Sequence, residues 1–217
     1  MTAKLTRIDE REVLRYLGAA KAPDPELKER ITRLSEELIA VTVPRLVWRR
    51  LPLTADNDYL LAGEDIRGIL KDCSEMVIFA ATLGMEAERY LHRAQVRDMA
   101  QAVILDACAD SAIENVCDHF CTDLAALVQP SFLTDRYSPG YGDLPLSHQK
   151  VIFDVLDVTR RIGVTLTDSG LMLPQKSVTA IIGISDKPQR HRRGSCMGCS
   201  MYSDCIYRKE GRTCDKH

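Results

Sequence analysis

The chain has 217 residues, a formal net charge of −2, and 45% hydrophobic against 28% charged residues. That length buries a core and favours one main domain, and the near-neutral charge excludes a global basic field aimed at nucleic acid or an anionic membrane. No apolar run approaches the roughly 20 residues of a membrane span, and the opening MTAKLTRIDEREVLRYLG lacks the apolar stretch of a signal peptide, so the expected location is the cytoplasm.

Taken in chain order, residues 7–17 read as a short helix with Asp9 as N-cap, Val13, Leu14 and Leu17 as the apolar side, and Gly18 as the stop. A second helix is expected over 27–40, with Leu27, Ile31, Leu34 and Leu38 in line. Residues 41–53 read as extended. Gly63 opens a further helix with Ile66, Ile69 and Leu70 inward. The continuous apolar run from Met76 to Thr82 is the best candidate for a buried strand. A long helical region follows over 86–128, free of Gly and Pro, with a break expected near 95–97. Residues 129–145 form a Pro- and Gly-containing loop. A helix capped by Ser147 is expected to run to Ile162, and two strand-like runs lie at 171–173 and 178–184. Helices and strands mix without regular βαβ alternation, so the class is α+β, with long helices packed on a mixed or antiparallel sheet. No GxGxxG or Walker sequence is present.

The loop Arg136-Tyr-Ser-Pro-Gly-Tyr-Gly-Asp-Leu-Pro145 stands out. Pro139 and Pro145 restrict its backbone, whereas Gly140 and Gly142 permit positive φ and close ligand approach. Arg136 offers a fork for a carboxylate, and Tyr141 a flat face with a hydroxyl. The same composition also describes a rigid surface loop with a solvated Arg. Upstream, Ala107, Asp110, Glu114, Cys117, Cys121 and Leu124 recur every three or four residues on one helix face. An unpaired carboxylate at Glu114 would be costly on that largely apolar stripe. An amine-bearing ligand would partner it, and so would a structural Arg. Cys108, Cys117 and Cys121 read as small core residues.

The stretch from Arg136 to Ser185 resembles the activation domain of cobalamin-dependent methionine synthase. The shared features are Arg136 with Gly140-Tyr141, the following helix, Gly163-Val-Thr-Leu-Thr-Asp-Ser169, and Pro174-Gln-Lys-Ser-Val178. The resemblance implies a fold of that type and a site for S-adenosylmethionine. Arg136 would grip the methionine carboxylate. Pro139, Gly140 and Tyr141 would line the cofactor, and Glu114 would supply the carboxylate that the family takes from the preceding long helix. It further implies a stand-alone protein that supports reductive methylation of cob(II)alamin. The cobalamin would be carried by a partner, either a corrinoid-binding protein or a methionine synthase lacking its own activation domain. This chain has Gly142-Asp-Leu-Pro145 where the family has an Ala-Cys-Pro type of sequence, and Ile181-Ile182 where the family has a strand tyrosine.

Residues 1–186 are expected to form the activation-domain-like body, and 187–217 a basic linker with a Cys-rich tail. Cys196, Cys199, Cys205 and Cys214 place four thiols in the last stretch of chain. Four thiolates with one Cys-x-x-Cys pair suit zinc or an iron–sulfur cluster. An iron–sulfur cluster would provide an electron for cob(II)alamin. The alternative function is a redox or docking partner of a corrinoid protein that does not bind S-adenosylmethionine.

Overall fold

The structure is a computed structural model, and it describes residues 3–19 and 23–189. A four-stranded antiparallel sheet has the order β1-β2-β6-β3, built from β1 (Arg45–Pro52), β2 (Glu75–Thr82), β6 (Ser177–Ser185) and the two-residue β3 (Phe132–Leu133). The central strands β2 and β6 pair in full register from Glu75↔Ile184 to Thr82↔Ser177. Both read as near-continuous apolar runs because both of their faces are covered. A separate two-stranded ribbon joins β4 (Thr165–Leu166) to β5 (Met172–Leu173).

One face of the sheet carries α1 (Glu10–Tyr16), α2 (Pro25–Val41), α4 (Met85–Arg97) and α5 (Met99–Leu127). Alternate strand residues Val77, Phe79, Ala81, Ala180, Ile182 and Ile184 point into that core. Phe79 is fully buried, with its ring centroid 4.8 Å from that of Phe120 on α5. The other face carries α3 (Glu64–Leu70), α6 (Gln149–Leu156) and α7 (Val158–Ile162), packed over Val47, Met76, Ile78, Ala80 and Ile181. The expected α+β class with helices on an antiparallel sheet is therefore what the chain adopts, in three layers.

The helix starts follow local chemistry. Asp9 caps α1 by accepting from Arg11 N at 2.9 Å, and Asp24 caps α2 by accepting from Leu27 N at 2.7 Å. The break in the long helical region falls at Asp98, one residue beyond the expected segment. Asp98 leaves helical geometry (φ −153, ψ 102) and its carboxylate caps α5 through Gln101 N at 3.1 Å. The expected single helix from Ser147 to Ile162 is instead a short 3-10 turn (Leu146–His148), α6 and α7. Asp157, at φ 52, interrupts it, and Ser147 does not cap it. No described helix is long and apolar enough to cross a membrane. The four tail cysteines, Cys196, Cys199, Cys205 and Cys214, lie outside the described residues.

Candidate functional site

The site grows from the 29-residue helix α5. Asp106, Asp110, Glu114 and Asp118 are spaced four apart, so they form one row along the helix. Four like charges in a row repel one another unless cations intervene. Among the described residues, Lys176 and Arg136 do, each arriving from a loop beside β6.

At the C-terminal end of the row stands Arg136. It leaves the chain one residue before Tyr137, which bridges to Ile181 of β6 by reciprocal hydrogen bonds (Tyr137 N to Ile181 O 3.0 Å, Ile181 N to Tyr137 O 2.8 Å). That anchorage to the sheet directs Arg136 onto α5. Its Nη2 donates to Glu114 Oε2 at 2.6 Å and its Nη1 to Asp118 Oδ1 at 2.8 Å, with Cys121 Sγ 3.7 Å from Nη1. The Arg136 side chain is only 12% exposed, against 31% for Glu114 and 38% for Asp118. Burial alone would lower the Arg136 pKa. The combined influence of Cys117, Glu114, Cys121 and Asp118 outweighs it and holds the guanidinium above its ordinary value.

At the N-terminal end of the row stands Lys176, just ahead of β6. Its Nζ lies 2.8 Å from Asp106 Oδ1 and 2.7 Å from Asp110 Oδ1. Burial opposes its charge, but the two carboxylates prevail and raise its pKa. Burial pushes the Asp110 carboxyl up, and the Lys176 contact offsets this only in part. A cleft of about 250 Å³ opens beside this end, with Tyr16, Met99, Val103, Asp106 and Asp110 among its walls. Tyr16 closes the row from α1, with Arg15 stacked 4.2 Å from its ring centroid. Burial first, and then the charge of Glu114, push its hydroxyl pKa up.

The loop after Arg136 is folded back on itself. Gly140 N donates to Leu144 O at 2.8 Å and Leu144 N to Tyr141 O at 3.0 Å. Pro139 and Leu144 are buried, whereas Gly140 and Tyr141 face solvent. The Tyr137 hydroxyl donates to Tyr141 O at 3.0 Å and sits 3.3 Å from Asp65 Oδ2. Gly142 is required where it stands. At φ 50 a side chain is strained, and a Cβ would run into the Asp65 carboxylate and the Tyr137 hydroxyl. Asp143 then accepts from Glu64 N at 2.6 Å and Asp65 N at 3.2 Å, capping α3 from a distant part of the chain. The residues that depart from the family's loop sequence thus pin the loop to α3.

The structure brings Glu114 and Arg136 into direct contact, whereas Pro139, Gly140 and Tyr141 sit in the turn that follows, with Tyr141 against Tyr137 and Gly140 beside Leu146. Sequence reasoning missed Asp118, Lys176, Asp106 and Tyr16. The four-residue spacing of the carboxylates was the available signal for Asp106 and Asp118. The Cys108 and Cys117 side chains are buried core residues, as expected. Ile181 and Ile182, at the place of the family's strand tyrosine, are both buried, one in each core. Among the described residues, no group of three or more His, Cys, Asp or Glu side chains is arranged to hold a metal ion.

Comparison with known proteins agrees with this architecture. A crystal structure described as the MetH reactivation domain bound to AdoHcy superposes with a TM-score of 0.59 at 15% identity, covering 95% of this chain and 82% of that one. No curated protein matches the sequence. The sequence profile of the family described as vitamin B12-dependent methionine synthase, activation domain, matches residues 68–198, which span α5, the Arg136 loop and β6. That is well over half of the chain, and the chain belongs to this family.

Proposed function

We propose that this protein serves the reactivation of a cobalamin-dependent methyltransferase by binding S-adenosylmethionine at the Arg136–Glu114 pair. The observation that carries the reading is the 2.6 Å contact between Arg136, whose side chain is 12% exposed, and the helix carboxylate Glu114. An amino-acid end group bears one carboxylate and one ammonium. Arg136 and Glu114 are the complementary pair of charges, already adjacent and held by rigid elements. Gly140 and Tyr141, four and five residues beyond Arg136 along the chain, are exposed and are proposed to complete the site. S-adenosylmethionine would supply the methyl group to a partner's cobalt once one electron had reduced it from cob(II) to cob(I), leaving S-adenosylhomocysteine; this chain binds and orients the donor.

The partner is a corrinoid-binding protein or a methionine synthase without its own activation domain. The support is membership of the activation-domain family. The tail cysteines Cys196, Cys199, Cys205 and Cys214 are proposed to hold zinc or an iron–sulfur cluster, on the strength of their spacing. A brown protein after anaerobic purification supports the cluster and an electron-transfer role. A colourless protein with one zinc removes that role.

Calorimetry with S-adenosylmethionine tests the central reading. Wild type is expected to bind. Arg136→Ala is expected to weaken binding by about a hundredfold, the usual loss when one partner of a desolvated charge contact is deleted. No binding by a folded wild-type protein overturns the proposal. A docking protein that does not bind S-adenosylmethionine is then the reading left. Ile181 and Ile182 favour it, since both are buried where the family has a tyrosine.

A further inference from the structure

We infer that Asp118 is a positioning residue that keeps Arg136 seated on α5 while Glu114 turns its charge to the ligand's ammonium group. This rests on the proposed S-adenosylmethionine site and deepens it. In the structure the guanidinium is divided between two carboxylates one helical turn apart: Nη2 faces Glu114 and Nη1 faces Asp118. A guanidinium has five N–H donors, so these two contacts leave donors for a further anion. The trio Arg136, Glu114 and Asp118 carries a formal charge of +1 − 2 = −1. An arriving ammonium group is therefore drawn to this end of the row, and it competes with Arg136 for Glu114.

If Glu114 were the only anchor, that competition would loosen the Arg136 side chain when its fork has to hold the ligand carboxylate. A freed Arg regains rotamer entropy, which must be lost again on capture. Asp118 removes that problem. It lies on the side of Glu114 away from Asp110 and Lys176, so the second cation of the row does not compete for it. Its contact fixes Nη1, and Cys121 Sγ lies 3.7 Å from the same nitrogen. The backbone end is fixed independently by the Tyr137–Ile181 bridge. With both ends held, the fork keeps its orientation whichever partner Glu114 takes.

The test compares two ligands that share the adenosine and sulfur. S-adenosylhomocysteine has the amino-acid end, and 5′-methylthioadenosine lacks it. Asp118→Asn should weaken S-adenosylhomocysteine binding by about tenfold, the scale of coupling within one ion-pair network. It should leave 5′-methylthioadenosine binding and the melting temperature of the free protein unchanged, and Asp118→Glu should restore most of the affinity. An equal loss for both ligands, a loss that Glu does not rescue, or no loss at all overturns the positioning role while leaving the site in place. Failure of wild type to bind S-adenosylhomocysteine removes the site itself, and this inference with it.

Discussion

The two ends of the α5 carboxylate row are built to the same electrostatic plan and differ in the cation. Lys176 and Arg136 each reach α5 from a loop next to β6, and each bridges two carboxylates four residues apart. Lys176 is a point charge whose contacts are met within the triad, and its loop ends on a strand. Arg136 carries a planar fork with donors to spare and adjoins a turn that exposes Gly140 and Tyr141. A lysine suits an anchor that ties the entry of β6 to α5. An arginine suits a contact that must hold two helix carboxylates and still address a third anion. The proposed division of roles on this helix thus rests on the kind of cation and the loop behind it, since charge alone is the same at both ends.

The sharpest way to break that comparison is to delete each cation in turn. Arg136→Ala carries the largest expected effect, the hundredfold loss of S-adenosylmethionine affinity. Lys176→Met should do the opposite, with affinity kept within about threefold and stability lowered by about 2 kcal/mol. Asp106 and Asp110 are left facing each other without a cation, and their partial exposure softens the cost of a broken ion pair below that of a fully buried one. For a domain of this size, that is a fall of about 4–8 °C in melting temperature. A Lys176→Met protein of unchanged stability that no longer binds the ligand would show that the anchor is part of the site.

The next effect concerns the turn that separates the two cases. Gly142→Ala forces a side chain into a left-handed position and against Asp65 and Tyr137. The strain costs about 1–3 kcal/mol, and the relief available is to release the Asp143 cap on α3. Hydrogen exchange should then rise at the Glu64 and Asp65 amides, which Asp143 now protects, while exchange in α5 stays as it is. Unchanged exchange at Glu64 and Asp65 would mean that the loop is held by Leu144 burial instead.

Much of this was legible in the sequence, for identifiable reasons. The cap Asp9 acts over two residues, and β2 and β6 declare themselves by apolar runs. The pairing of Glu114 with an arginine was one of two readings that its place on an apolar stripe allowed. What stayed hidden depends on tertiary contact. Asp143 caps a helix 79 residues earlier, Lys176 closes on carboxylates 66 and 70 residues away, and Asp157 breaks a helix with no glycine or proline to mark it. The carboxylate row was visible as a spacing. Its meaning was not, because nothing local says which distant cations will come to neutralise it.

The smallest expected effect separates the two cations by pH. Lys176 has its pKa raised in the folded protein. Its contribution is therefore complete below the ordinary lysine pKa of about 10.4 and is lost as pH rises through the folded value. Arg136 stays charged across the whole accessible range. The difference in melting temperature between wild type and Lys176→Met should thus be flat from neutral pH to about pH 10 and narrow above it. Other groups also titrate there. Burial and the Glu37 hydrogen bond push Tyr90 up to about 12, and burial pushes Cys73 up to about 11. Both are present in the two proteins and cancel in the difference. A difference that stays flat to pH 11 would mean that Lys176 holds the β6 entry by the packing of its stem, and the likeness between the two ends of the row would then be one of position without a shared electrostatic role.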